Sequence, residues 1–400
     1  MSMTKPLYPF NPHSPVLVIA PHLTYPLRNG DDIAVDRHWG AFSAHVPFVT
    51  IVAADRVMRY ENGVCVQETP IANRMRASWW AALRTLWFRS HYLLEKFITP
   101  AYLKVIAPFV DDPQYETIVY SHFLTGDVAP YTNRDRFAIM ISHNDDFLWF
   151  QHLADHAKHP LARRVALLSK AWTERFVAGR AMDYWLEHVT MQDCKGYQQF
   201  APDHRYYIMP PGVDFEPHQP SESPHDGACH ILFAGSLSVT MNLDALQHFR
   251  TKFYPAMKQA LGERLDVTVV GSNPTEAVRA LCAEENWPLH ANVSDAEMEA
   301  HHQQATFSIL PFQYSTGFKL KLLKSLSYGV PFLATTHATE DFELPSCLVS
   351  DDPQAWVAAA HRAADSGIPM MHRMALLDFV ASYAWSALAK RAFQTYQELQ

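Results

Sequence analysis

The sequence predicts an α/β protein made of two doubly wound parallel sheets, each in its own domain. Two observations lead there. Short apolar, β-branched runs alternate with longer helical stretches, and the runs fall into two series separated by a Pro- and Ser-rich stretch. Strands apolar at nearly every position are covered on both faces, the condition of a parallel sheet flanked by helices. The length of 400 residues agrees, since a single hydrophobic core seldom organises more than about 300 residues.

The first series comprises VLVIAPH (16–22), FVTIVAA (48–54), ETIVYSH (116–122) and RFAIMISH (136–143). After the first of these a helix is expected beyond Gly30, with Asp31 or Asp32 as its N-cap. The second series comprises HILFAGS (230–236), LDVTVVGS (265–272), ATFSILPF (305–312), VPFLATT (330–336) and SCLVSDD (346–352). Between the two lies QPSESPHDGA (219–228), the linker region. The predicted domains are 1–215 and 216–382, with a C-terminal helix over 383–400 returning to the first.

Composition excludes several classes. Apolar residues make up 48% and charged residues 18% of the chain, which describes a folded globular protein. A formal charge of −8 argues against nucleic acid as a partner, since phosphate backbones require a basic face. The cysteines (65, 194, 229, 282 and 347) form no CxxC pair and fit a reduced, intracellular protein. No secretory signal is read before Pro21, and no apolar run reaches the roughly 18 residues that span a bilayer. The expected location is cytoplasmic, with a peripheral place at the inner face of the membrane left open. The histidines form no H-E-x-x-H set, so no metal site is predicted, and His301 and His302 read as surface helix positions. GSNP (271–274) lacks the remaining glycines of a dinucleotide fingerprint, so a nicotinamide enzyme is not expected.

Ligands of open parallel sheets bind beyond the carboxyl ends of the strands. In the second domain those positions are Gly235-Ser236, Gly271-Ser272, Pro311-Phe312 and Thr335-Thr336, small or hydroxylic residues that let backbone N–H groups approach an anion. The stretch STGFKLKLLKSLSYGVPFLATT (315–336) belongs to the same row. Ser315, Thr316 and Gly317 form its loop, Lys319 and Lys321 occupy the first helical turns, and Lys324 follows. Leu320, Leu322, Leu323 and Leu326 are the core side of that helix. Cations at a helix N-terminus oppose its dipole unless an anion, most simply a diphosphate, neutralises them. Solvated surface lysines are the alternative reading; the small residues after the neighbouring strands favour the anion site.

ILFAGSLSVTMNLDALQHFRTKFYPAM (231–257) is similar to the strand, Gly-Ser turn and N-x-D-A-L helix of glycosyltransferase family 4. MPPGVD (209–214) looks like its P-x-G-V-D, TGFKLKLLKSLSYGVPFLATTHATEDF (316–342) resembles its G-T-R-x-K-x-L-E-A-x-A-x-G-x-P-V-V-x-T signature, and ISHND (141–145) its H-N-x-E. The match is good over about 205–345 and loose elsewhere. The resemblance implies a GT-B fold, with a nucleotide-sugar donor held by the second Rossmann-like domain and the acceptor by the first. It implies chemistry without a metal or other cofactor, consistent with the absence of any Asp-x-Asp from the sequence. By position, Lys319 and Lys321 stand near the donor phosphates, Gly235, Ser236, Thr335 and Thr336 beside the diphosphate, and His143 beside the donor sugar. One departure bears on activity. Where the family has a glutamate bonding the ribose hydroxyls this chain has Lys324, which cannot accept those bonds, and where it has a second glutamate near the sugar this chain has Thr316. Either another group holds the ribose, or the donor sits differently, or transferase activity is lost.

In the first domain Asn29-Gly30 is placed to approach the diphosphate, with Arg28, Asp31 or Asp32 at the acceptor; helix capping alone is the alternative. An inverting reaction needs a base for the acceptor hydroxyl, and Asp31, Asp32 and His143 are the candidates. His122 either lines the cleft too or is only a strand-end residue. The stretch 74–104 places Trp79, Leu83, Leu86, Trp87 and Leu94 at helical spacing with Arg76, Arg84, Arg89 and Lys96 nearby. It suits an anionic lipid headgroup or a lipid-linked acceptor, or is a helix packed on the first domain. The expectation is a hexosyltransferase-type enzyme moving a sugar from a nucleotide-diphosphate donor to a glycan or glycolipid acceptor in bacterial surface polysaccharide or glycoconjugate synthesis. The alternatives are a catalytically silent relative that binds a glycan or partner subunit, and a sugar epimerase of the same fold.

Overall fold

The computed structural model describes residues 8–27, 30–71, 75–122, 125, 136–215, 226–313, 320–339, 344–345 and 347–399. The chain divides into two compact units, Met1–Gly212 with Trp385–Gln400, and Val213–Ala384.

The first unit is built on an eight-stranded sheet. Its strands are β1 (Val16–Ala20), β2 (Val49–Ala53), β3 (Arg56–Glu61), β4 (Val64–Pro70), β5 (Thr117–Ser121), β6 (Phe137–Ser142), β7 (Trp185–His188) and β8 (Tyr206–Ile208), in the order β4-β3-β2-β1-β5-β6-β7-β8. All pairs are parallel except β2–β3 and β3–β4. The antiparallel hairpin has no counterpart in the sequence reading. Its turn, Asn62-Gly63, takes positive φ at both residues (49° and 82°), the requirement of the tight turn that joins twisted strands. β1 is buried at every position, and its side chains alternate between two cores. Val16, Val18 and Ala20 join Trp39, Phe42, Leu388 and Tyr396 on one face, while Leu17 and Ile19 join Tyr102, Ile106 and Phe176 on the other.

The second unit holds a six-stranded, wholly parallel sheet: β9 (Cys229–Ser236), β10 (Leu265–Ser272), β11 (Leu289–Ala291), β12 (Phe307–Leu310), β13 (Phe332–Ala334) and β14 (Leu348–Val349). Its order, β11-β10-β9-β12-β13-β14, is the 3-2-1-4-5-6 arrangement of dinucleotide-binding folds, whose direction reverses between the first and fourth strands. Of the expected strand over 346–352 only two residues form a ladder.

Two local expectations change. The helix after β1 spans Gly30–Phe42, so Asp31 and Asp32 lie in its first turn and not at its N-cap; there their charge still complements the helix dipole. The stretch 74–104 is not one helix. It breaks into Ser78–Phe88, Tyr92–Phe97 and the start of Pro100–Asp111, with Arg89 in the left-handed region at the first break and Thr99 capping before Pro100 at the second.

Candidate functional site

In the second unit the reversal point falls between the carboxyl ends of β9 and β12. Gly235 pairs in register with Gly271 of β10, and a Cβ added at Gly271 would run into the carbonyl oxygen of Gly235. The missing side chain of Gly271 therefore lets the strands close up where β9 ends, leaving Gly235 and Ser236 half-buried at the lip. The turn is fixed by Asn242, whose Nδ2 donates to the Ser236 carbonyl at 2.6 Å, and by Ser236 Oγ meeting Ser238 Oγ at 3.1 Å. The helix Thr240–His248 starts just beyond, with no side chain capping its first N–H groups.

The other predicted residues of this unit divide. Thr335 is buried, and its hydroxyl turns inward to the carbonyls of Leu310 (3.2 Å) and Phe312 (2.6 Å), tying β13 to the end of β12. Thr336 is exposed and held by Asp351, through its hydroxyl (2.7 Å) and its N–H (3.2 Å). Lys324 is exposed on the last turn of the helix Leu320–Leu326, its Nζ 5.2 Å from the ring centre of Tyr328. A cation there favours the helix dipole. Leu322, Leu323 and Leu326 are fully buried, as expected of a core face. Ser315, Thr316, Gly317 and Lys319 lie outside the described residues, as do the side chains of Leu320 and Lys321.

In the first unit the structure gathers more than the sequence reading did. β1 and β5 are neighbours although the chain runs through β2, β3 and β4 between them, so the reversal point lies at their carboxyl ends. His22 follows β1, His122 follows β5 and His143 follows β6. The ring centres stand 5.7 Å (His22–His143), 6.1 Å (His22–His122) and 6.1 Å (His122–His143) apart. His122 has a φ of 93°, an unusual conformation for a residue with a side chain. Its Nε2 lies 3.5 Å from Asp146, which accepts a 2.7 Å bond from the Tyr197 hydroxyl. His143 is buried with Nε2 3.1 Å from Ser121 Oγ. Both ring nitrogens of His22 are shielded from solvent and have no hydrogen-bond partner among the described residues.

Burial, reinforced by the neighbouring His122 ring and only partly offset by Asp146, pushes His143 down to about 3. Burial and the two other rings push His22 down as well. Asp31 is raised, chiefly because protein shields its carboxyl, against the attraction of His22 and His122. His22 and His143 are therefore neutral imidazoles beside a carboxyl that gives up its proton less readily than usual, an arrangement suited to proton transfer. Of the predicted residues Asp31 and His143 belong to it. Asp32 is buried in the same helical turn, and Gly30 is the exposed first residue of that helix. His22, His122 and Asp146 were not singled out as bases; the signal was a histidine within two residues of the end of each of three apolar strands.

A second cluster also departs from expectation. His188, Cys194 and His204, all buried, place ligand atoms within 4.8 Å of one another. The spacing His-x5-Cys-x9-His matches no compact metal motif, so the sequence concealed it. His302, expected at the surface, is buried with Nε2 2.8 Å from Ser325 Oγ.

The helix Ser78–Phe88 is turned inside out relative to an ordinary surface helix. Ala81 and Thr85 are buried, whereas Trp79 is 67% and Trp87 84% exposed, with Trp80, Leu83 and Phe88 exposed beside them. Arg84 is bound to Glu95 at 2.7 Å, and Arg76 donates to the carbonyls of Glu95 and Ile98. These arginines are stitches between helices.

Residues 228–366 match the family model of glycosyl transferases group 1. A search of curated proteins by sequence finds no match. Among solved structures, the catalytic domain of starch synthase IV from Arabidopsis thaliana, bound to ADP and acarbose, is 12% identical with a TM-score of 0.59, covering 97% of this chain and 99% of that one. The lipopolysaccharide outer core galactosyltransferase WaaB is 9% identical with a TM-score of 0.58, over 96% and 100%. A mutant of S. aureus TarM, in complex with fondaparinux, α-GlcNAc-glycerol and UDP, is 7% identical with a TM-score of 0.51, over 74% of this chain; the match spans 59% of the TarM chain. The chain has the GT-B fold of these glycosyltransferases, and its residues 228–366 carry the group 1 match.

Proposed function

We propose that the protein is a glycosyltransferase that moves a sugar from a nucleotide-diphosphate donor to a glycan or glycolipid acceptor. The observation that carries this reading is the reversal point of the second unit. The paired Gly235 and Gly271, the uncapped helix start after Ser236 and the group 1 match over 228–366 meet at one strand end. Backbone N–H groups there suit the donor diphosphate, and Lys319 and Lys321 would neutralise the charge that grows on it as the sugar leaves. No Asp-x-Asp pair is present in the sequence to hold a divalent ion in that role.

For the acceptor, Asp31 is the carboxylate that interacts with His22 and His122 of the first unit's cluster. Asp31 is the candidate to take the hydroxyl proton if the reaction inverts configuration. Thr336 and Lys324 are the weaker members of the predicted donor site, one engaged by Asp351 and the other set over Tyr328. The aromatic face of Ser78–Phe88 supports attachment to a membrane surface and a lipid-linked acceptor, and the likeness to a lipopolysaccharide galactosyltransferase supports a role in surface polysaccharide synthesis.

Calorimetric titration with UDP-, GDP- and dTDP-sugars, followed by a donor hydrolysis assay, tests the reading. Binding with slow hydrolysis is expected. Lys321→Ala should weaken diphosphate binding by about 1.5–3 kcal/mol, the worth of a charge-assisted hydrogen bond. Binding without turnover to any acceptor would favour the silent relative, and failure to bind any of the donors would overturn the proposal.

A further inference from the structure

We propose that His188, Cys194 and His204 form a buried zinc site that clamps the last two strands of the first unit's sheet. The three residues come from separate pieces of backbone: His188 ends β7, Cys194 lies in the helix Met191–Gln198, and His204 sits in the turn that leads into β8. None is reached by solvent, at 0%, 0% and 4% exposure.

The distances fit one ion. His188 Nε2 and His204 Nε2 are 3.0 Å apart, and Cys194 Sγ is 4.0 Å from His204 Nε2. Tetrahedral zinc with its usual bond lengths sets N···N at about 3.3 Å and N···S at about 3.6 Å. The ligand atoms of His188 and Cys194 lie within 4.8 Å of each other, so shifts of up to about 1.2 Å would bring all three atoms onto one tetrahedral centre, with the fourth vertex open.

The tautomers fit as well. His204 Nδ1 lies 2.6 Å from the Ala201 carbonyl oxygen, so this nitrogen carries the proton and leaves the Nε2 lone pair facing the cluster. A ligand histidine held by a carbonyl on its other nitrogen is the usual outer support of a metal site.

The competing account is a hydrogen bond between the two rings with the thiol as a bystander. It gives the convergence of a thiol on the same point no purpose. The tyrosines around the cluster, Tyr197 at 4.8 Å from the His188 ring and Tyr206 at 5.3 Å from the His204 ring, bring no charge to compete with a cation.

The test uses the full chain. Zinc content is measured after purification, zinc is then stripped with a chelator, and zinc chloride or cobalt(II) chloride is added back. About one zinc per chain is expected, with a melting temperature that falls on stripping and recovers on addition. Cobalt(II) should give a thiolate charge-transfer absorption in the native protein that Cys194→Ser abolishes and Cys65→Ser, at an exposed cysteine, leaves intact. His204→Gln should lower zinc affinity by about 100-fold or more, since even outer-shell losses cost 10–100-fold. Should Cys194→Ser fail to fold, the cobalt spectrum of the native protein still decides, because a metal held elsewhere without sulfur shows no thiolate band. Absence of zinc together with no thermal or spectral response to added metal overturns the proposal, as does metal binding that survives both substitutions.

Discussion

At the scale of single residues, the proposed donor end of the second unit depends on a position with no side chain. Gly271→Ala would force β10 away from the Gly235 carbonyl at the floor of the proposed diphosphate site. Overpacking of this kind costs about 2–3 kcal/mol, and here the displaced atoms are backbone. The variant should melt earlier and bind UDP-sugars at least about tenfold more weakly, measured by calorimetry on the fraction that folds; unchanged affinity would detach this strand end from the donor. His143 makes the second residue-scale prediction. Burial holds it at about 3, whereas an unfolded histidine titrates near about 6.5. Between those values the unfolded chain binds a proton that the fold refuses, so the contribution is whole above about pH 6.5 and is lost as pH falls. His22, His38 and His302 shift in the same direction. Glu187, pushed up to about 7 by burial, opposes them by holding a proton in the fold between its ordinary value and about 7. Replacing His143 by Gln, which can still meet Ser121, should flatten the loss between about pH 6.5 and about pH 5 by about 1.4 kcal/mol per pH unit. Urea midpoints at the two pH values give the slopes, and equal slopes for native and variant protein would refute a neutral buried ring. Each histidine of the cluster was readable as a residue within two positions of an apolar strand's end. Their meeting was not, because sequence order does not disclose that β1, β5 and β6 lie side by side.

At the scale of elements, readability followed burial. The strands buried at every position, β1, β2, β5 and β6, announced themselves as apolar runs. β4 is exposed along its whole length and carries no such pattern; only the Asn62-Gly63 pair marked its hairpin. β7 (WLEH), β8 (YYI) and β11 (LHA) sit in no extended apolar run, unlike the equally short β12 and β13, which lie within ATFSILPF and VPFLATT. The helix Ser78–Phe88 misled in a different way. Its spacing of tryptophan and leucine is that of a core-facing stripe, yet the stripe faces outward and the small residues Ala81 and Thr85 pack inward. A cluster of exposed aromatic side chains of this kind marks a contact surface. Trp79→Ala combined with Trp87→Ala should leave stability within about 0.5 kcal/mol, as expected of exposed positions, and leave donor binding in solution unchanged. Sedimentation with phosphatidylglycerol vesicles should fall by about tenfold or more, since burying a large apolar side chain is worth about 1.5–3 kcal/mol. Equal sedimentation of native and variant protein would exclude the membrane role of this helix.

At the scale of the whole molecule, two series of strands separated in sequence became two units, each with its own core, and the chain returns to the first unit for its last helix, Trp385–Glu398. That return is strongly fastened. Leu388, Ala389, Ala392 and Tyr396 are fully buried. Tyr396 and Tyr207 both donate to Glu187 Oε2, at 3.2 and 2.6 Å, which joins the helix to β7 and β8. The buried carboxyl is thereby satisfied by hydroxyls, as burial of a polar group requires. The helix contributes to the core that contains Trp39, Phe42 and Phe137, while the core of the second unit includes none of its residues. Stability should therefore be divisible by substitution. Leu388→Ala removes a fully buried side chain and should cost the first unit about 2–5 kcal/mol. In a calorimetric scan this lowers the transition of that unit and leaves the transition of the second where it was, with Leu326→Ala as the reciprocal substitution in the second core. A parallel shift of the whole unfolding profile by either change would mean that the two cores melt as one cooperative body, and that the final helix stabilises both.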